Sequence, residues 1–127
     1  MSNMFNGRFW LKSSDLGQFQ GCNVEDMHSM FSFCFSLISV NISKFEAYNV
    51  RDMTSMFYGC TLLVSINLAK FYIKGVESLA YMFAGCKSIT SLDLSNFDTS
   101  NVVYYFNMFN NCIKLEYLNI TNFSAMI

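Results

Sequence analysis

Five residues, Met82-Phe83-Ala84-Gly85-Cys86, recur in near-copy at Met30-Phe31-Ser32-Phe33-Cys34, Met56-Phe57-Tyr58-Gly59-Cys60 and Met108-Phe109-Asn110-Asn111-Cys112, always 26 residues apart. A fifth copy, Met4-Phe5-Asn6-Gly7-Arg8, keeps the step but carries arginine in place of the cysteine. A fixed period of this length marks a stacked-repeat architecture, in which each unit buries its apolar face only against its neighbours. The period therefore constrains the architecture closely and the ligand hardly at all.

Hydrophobic residues make up 53% of the 127 residues and aromatics 17%, far too many for a disordered tail. Eight basic against nine acidic residues leave a net charge of −1, which offers no electrostatic footprint for nucleic acid. The longest apolar run, Met30 to Val40, is interrupted by serines and is about half of what a bilayer span needs, so no membrane insertion is expected. Nor does the N-terminus resemble a signal peptide. With no proline and only six glycines, no linker divides the chain, and residues 1–127 read as a single stack of about five repeats. Because the chain enters directly into a repeat, a fragment of a longer repeat protein is expected. Neither end turns polar enough to cap a stack, so end-to-end self-association is a further expectation.

Within each unit two periods alternate. Val24/Met27/Met30/Phe31, Val50/Met53/Met56/Phe57, Val76/Leu79/Met82/Phe83 and Val102/Tyr105/Met108/Phe109 follow steps of three and four, the pattern of one helix face. Asn23, Asn49, Gly75 and Asn101 precede them as candidate N-caps, and Glu25, Asp26, Asp52 and Glu77 would favour the positive end of a helix dipole. Gly59, Gly85 and Asn111 stand where a left-handed residue would end the helix, and Phe33 in that column predicts strain.

After the cysteine the period changes to Leu37-x-x-Val40-x-Ile42, Leu63-x-x-Ile66-x-Leu68, Ile89-x-x-Leu92-x-Leu94 and Leu115-x-x-Leu118-x-Ile120. Alternation of this kind predicts a short, half-buried strand. A phenylalanine ladder follows at Phe45, Phe71, Phe97 and Phe123, with Phe19 before it. Residues 1–29 form the most degenerate unit, with Ser14 where a strand should place an apolar side chain. The expected fold is an α/β, leucine-rich-repeat-like solenoid with one short parallel strand and one short helix per 26-residue repeat.

The units Leu92-Asp93-Leu94-Ser95-Asn96-Phe97-Asp98-Thr99-Ser100-Asn101-Val102 and Met82-Phe83-Ala84-Gly85-Cys86 resemble the 26-residue repeat of bacterial and protist surface proteins grouped with the BspA-like leucine-rich repeats. The resemblance implies a secreted or cell-surface repeat protein with an adhesive role. Departures from it are Arg8 for cysteine, Phe33 for glycine, and Tyr72-Ile73-Lys74-Gly75 in place of Asp-Thr-Ser-Asn.

Cys34, Cys60, Cys86 and Cys112 form a column of equivalent positions whose side chains point the same way, poorly aimed for disulfides. Reduced thiols packed as small hydrophobes are expected there, together with the inward columns Met30, Met56, Met82 and Met108. Cys22, in a column with Tyr48, Lys74 and Ser100, reads either as a reactive thiol or partner in an intermolecular disulfide, or as an incidental substitution. The single histidine, His28, lies off the apolar face with no nucleophile beside it, no Cys-x-x-Cys pair suits zinc, and no glycine loop suits a phosphate. No enzyme, cofactor or metal is expected.

What remains is the outward face of the strands: Ser39 and Asn41, Ser65 and Asn67, Ser91 and Asp93, Tyr117 and Asn119. That grid of small hydrogen-bonding groups suits a protein or glycan ligand, and serves equally as the solvated face of a sheet. Two functions stay open: a non-enzymatic adhesive or binding module at the cell surface or secreted, and a structural spacer with no ligand. Asn41-Ile42-Ser43, Asn119-Ile120-Thr121 and Asn122-Phe123-Ser124 also match the N-glycosylation triplet, a weak signal in so Asn- and Ser-rich a chain.

Overall fold

The computed structural model describes residues 1–19, 23–45 and 47–124. Five three-residue strands recur with the sequence period: β1 (Ser13–Asp15), β2 (Ser39–Asn41), β3 (Ser65–Asn67), β4 (Ser91–Asp93) and β5 (Tyr117–Asn119). All pairings are parallel and in repeat register, Ser39 opposite Ser65 and Ser91 opposite Tyr117. The strands form two small sheets, β1-β2-β3 and β4-β5.

The expected helix is absent: among the described residues no α-helix forms, and the α/β solenoid is replaced by a stack of coils built from strand and turn. The reason lies in where the amides go. In the third coil Met56 N donates to Met53 O, Tyr58 N to Ser55 O and Cys60 N to Phe57 O, each closing a three-residue turn at 3.0 to 3.2 Å. The amides between them turn outward along the stack, Ser55 N to Ala80 O, Phe57 N to Met82 O and Gly59 N to Ala84 O, at 2.8 to 2.9 Å. A helix would send every amide to the carbonyl four residues back; here every second one pairs with the next coil.

That alternation needs left-handed residues. Asn3, Ser29, Ser55, Tyr81 and Asn107 form one column with φ between 52° and 57°, and Gly7, Phe33, Gly59, Gly85 and Asn111 a second with φ between 58° and 78°. Each stands third in a turn such as Met53–Met56 or Phe57–Cys60, where a type II turn requires positive φ. The second column is where the sequence places left-handed residues, and Phe33 sits in it at φ 58°. The first column falls in mid-segment, where one left-handed residue per coil prevents a continuous helix. The three-residue turns bring positions i and i+3 to the same side, which is why the apolar spacing imitates a helix face.

The inward columns build a continuous core. Met30, Met56 and Met82 are fully buried and Met108 nearly so. Phe31, Phe57 and Phe83 stack in parallel between Phe5 and Phe109, with centroids 5.1 to 6.2 Å apart and planes within 13°. Phe45, Phe71 and Phe97 form a second buried ladder, with Phe123 half-buried at its end. The turn wall runs unbroken along the stack, but no strand pairing joins β3 to β4. There, the bonds that periodicity predicts from Leu68 N and Thr90 N have no counterpart to Ile42 N→Asn67 O or Glu116 N→Thr90 O.

Candidate functional site

The strand-side residues proposed from sequence are brought onto one face. Ser65, Asn67, Ser91, Asp93 and Tyr117 are exposed, and Ser39, Asn41 and Asn119 half-buried. Half of the grid is engaged internally, since Oδ1 of Asn41, Asn67, Asp93 and Asn119 accepts the amide two residues on, at 2.9 to 3.2 Å. These Asx turns close each strand and steer the chain back toward the core. Hydrogen bonds from Ser95 hold the Asp93 carboxyl below its ordinary range. Ser65, Ser91 and Tyr117 remain the outward groups least committed to the fold.

The cysteine column is a set of free thiols, Cys34, Cys60 and Cys86 buried and Cys112 partly so. Each Sγ donates to the carbonyl of the phenylalanine 29 residues earlier, Cys60 to Phe31 at 3.1 Å and Cys86 to Phe57 at 3.2 Å. Burial, reinforced by neighbouring thiols, pushes Cys60 and Cys86 far above the ordinary thiol range, so they stay protonated and unreactive. Cys22 lies outside the described residues. No group of three or more candidate metal ligands occurs among them, and no helix is long and apolar enough to cross a membrane.

A second surface, on the turn wall, is not anticipated by the sequence reading. Phe33, Tyr58, Tyr81 and Phe106 form an edge-to-face row across four coils, with centroids 5.2 to 6.2 Å apart and planes 82° to 86° apart. Phe35 and Tyr104 extend it at its two ends. Phe33 and Phe106 are 44% and 54% exposed, whereas Tyr58 and Tyr81 between them are half-buried, so the row meets solvent chiefly at its two ends. Among the described residues with positive φ, Phe33 and Tyr81 alone are bulky, the others being glycine, serine or asparagine. The left-handed backbone costs each about 1 to 2 kcal/mol that glycine would avoid.

Two clefts flank the row. One, of about 420 Å³, lies between Tyr81, Tyr104 and Phe106 on one side and Arg51, Glu77 and Thr54 on the other. Arg51 Nη1 stands 3.9 Å from Glu77 Oε1, and Thr54 Oγ1 lies 2.6 Å from Ser78 Oγ. The other, of about 250 Å³, is floored by Gly59 and Gly85 and edged by Thr61, Lys87 and Asn111. The floor is tight: a Cβ on Gly85 would come within 3.3 Å of the Gly59 backbone.

Compared with known protein families, the chain matches the one described as Mycoplasma protein of unknown function, DUF285, twice, over residues 1–90 and 34–126. The chain belongs to this family. No curated protein and no solved structure matches it. The two overlapping DUF285 matches span nearly the whole chain, as expected where a short unit repeats throughout. Sequence columns carry a signal for the aromatic row. Tyr81 stands among Asn3, Ser29, Ser55 and Asn107, Phe106 among His28, Thr54 and Ala80, and Tyr58 among Asn6, Ser32, Ala84 and Asn110. Each ring occupies a position that the other DUF285 units of this chain fill with a small or polar residue.

Proposed function

We propose that the chain is a non-enzymatic binding module of a cell-surface or secreted repeat protein, mediating adhesion through protein or glycan contacts on the outer walls of its stack. The observation that carries this reading is the division of labour in each coil. Apolar ladders and thiols are turned inward and satisfy the fold, while Ser65, Ser91, Tyr117, Phe33 and Phe106 are exposed outside the buried core. The resemblance of the Leu92 to Val102 unit to BspA-like repeats supports the same reading.

A direct test takes the 127-residue chain, labelled at one end, to immobilised matrix proteins and glycans. Saturable capture is expected, and capture of nothing at micromolar concentration would end the proposal. Surface location is tested with a cell-impermeant amine reagent on intact cells, which should modify the exposed Lys70, Lys74, Lys87 and Lys114 before lysis. A purely structural spacer is the second reading, favoured by the use of Asn67 and Asp93 in turns rather than at a free surface. It predicts that no ligand is captured.

A further inference from the structure

The aromatic row on the turn wall adds edge-to-face contacts between coils, yet smaller residues fill the same columns elsewhere and the stack continues through them. Ser29 and Ser55 occupy the position of Tyr81 in other coils, and Thr54 that of Phe106, with the equivalent inter-coil amide bonds Ser29 N→Thr54 O and Ser55 N→Ala80 O in place of Tyr81 N→Phe106 O. Two of the rings, Phe33 and Tyr81, sit on left-handed backbone that disfavours them. Phe33 is exposed and Tyr81 half-buried; both are off-pattern and strained, and they mark a surface kept for contact.

We propose that this row, with the cleft where it meets Phe106, binds a neutral polysaccharide. The inference rests on the chain being a binding module and names the ligand class and the wall. Spacing gives the first argument: one ring per coil, 5.2 to 6.2 Å from the next, is comparable with the advance of one pyranose unit along an extended glycan, so a periodic polymer meets a periodic surface. Successive rings stand 82° to 86° to one another, so alternate rings offer a face to sugar C–H groups while the rings between them offer an edge and the sugar hydroxyls reach the sides.

The cleft walls supply the second argument. Arg51 donates and Glu77 accepts, while Asp52 already accepts the Thr54 amide and the Thr54 and Ser78 hydroxyls pair with each other, leaving each with further hydrogen-bonding capacity that vicinal sugar hydroxyls can meet. A predominantly apolar protein partner would strip water from the same groups without replacing it. Charge gives the third. Two carboxylates against one guanidinium leave the cleft net negative, which disfavours sulfated or carboxylated glycans and nucleic acid. Its volume, about 420 Å³, falls in the range of small-ligand clefts and accommodates a single sugar unit beside the row.

The test uses affinity electrophoresis of the whole chain in gels containing mannan, galactan or glucan, with heparin as the anionic comparison. The variant Tyr81→Asn/Phe106→Thr takes its residues from equivalent positions in the chain and so preserves the fold, which thermal melting checks. Retardation of the native chain by at least one neutral polysaccharide, weakened about tenfold or more in the variant, is the expected result. Retardation by heparin alone, by none of the three neutral polymers, or equally for the variant overturns the proposal. If the neutral polymers fail while immobilised matrix proteins still capture the chain, the glycan assignment falls and the binding-module reading stands. If nothing is bound, both fall.

Discussion

Replacing Ser55 with glycine should stabilise this protein, and the sign of the effect separates the observed coil from a helix. Ser55 holds φ at 57°, donates its amide to Ala80 O at 2.9 Å and accepts from Tyr58 N at 3.0 Å. Its side chain is half-buried, so little packing is lost on truncation. Left-handed backbone costs an L-residue about 1 to 2 kcal/mol, which glycine escapes. Against this, glycine's greater freedom in the unfolded chain costs about 0.5 to 1 kcal/mol. The difference favours Ser55→Gly by about 0 to 1.5 kcal/mol, with a middle value of about 0.75 kcal/mol, or a rise in Tm of a few degrees. Ser55→Ala should be nearly neutral, because alanine is disfavoured at positive φ much as serine is. In a helix the order inverts, with alanine the most stabilising residue and glycine about 1 kcal/mol worse. Urea melts of the three proteins decide the matter. Alanine above serine above glycine would refute the turn geometry.

Core truncation tests the inward register: Met82→Ala should cost about 2 to 5 kcal/mol in chemical denaturation, whereas Ser65→Ala should cost under about 0.5 kcal/mol. The buried thiols make stability sensitive to alkali. Since folding raises the Cys60 and Cys86 pKa above the ordinary 9.0, their contribution is complete below that value and is lost as pH rises through and beyond it. Tm should therefore fall more steeply above about pH 9 for the native protein than for Cys60→Ala, as scanning calorimetry at a series of pH values would record. At the seam between β3 and β4, the Leu68 and Thr90 amides should exchange with deuterium faster than Ile42 and Glu116, their bonded equivalents. Equal protection would mean that the strand wall is continuous.

The period, the inward columns and the strands were legible because each follows from a residue-type choice repeated five times. Val40, Leu92 and their neighbours alternate as half-buried strands do, and the cysteine column was recognisable as buried thiols. Left-handed Gly59, Gly85 and Asn111 could be placed because glycine and asparagine advertise positive φ. The helix misreading has a definite source: Val50, Met53, Met56 and Phe57 recur at three and four whether the backbone closes i→i−4 bonds or successive three-residue turns. Of the five discriminating residues only Asn3 and Asn107, in the first and last units, are of a type that advertises positive φ, whereas Ser29, Ser55 and Tyr81 between them are left-handed without any sign of it in their identity. What offsets their strain is the amide ladder to the next coil, a long-range term invisible in any one repeat. The aromatic row was missed for a related reason. Phe33, Tyr58, Tyr81 and Phe106 belong to four different columns and meet only diagonally across the stack. The second task of the strand-side asparagines, closing turns, depends on a backbone path the alternation alone does not define.

Coil-to-coil pairing of the turn wall underlies both the stack and the surface it displays, and NMR couplings across hydrogen bonds observe it without reference to any ligand. In an isotope-labelled sample, Phe57 N should correlate with the carbonyl of Met82 and Gly59 N with that of Ala84, one repeat onward. Correlation of those amides with the carbonyls of Met53 and Ser55, four residues back, would restore the helix and take the aromatic row apart with it.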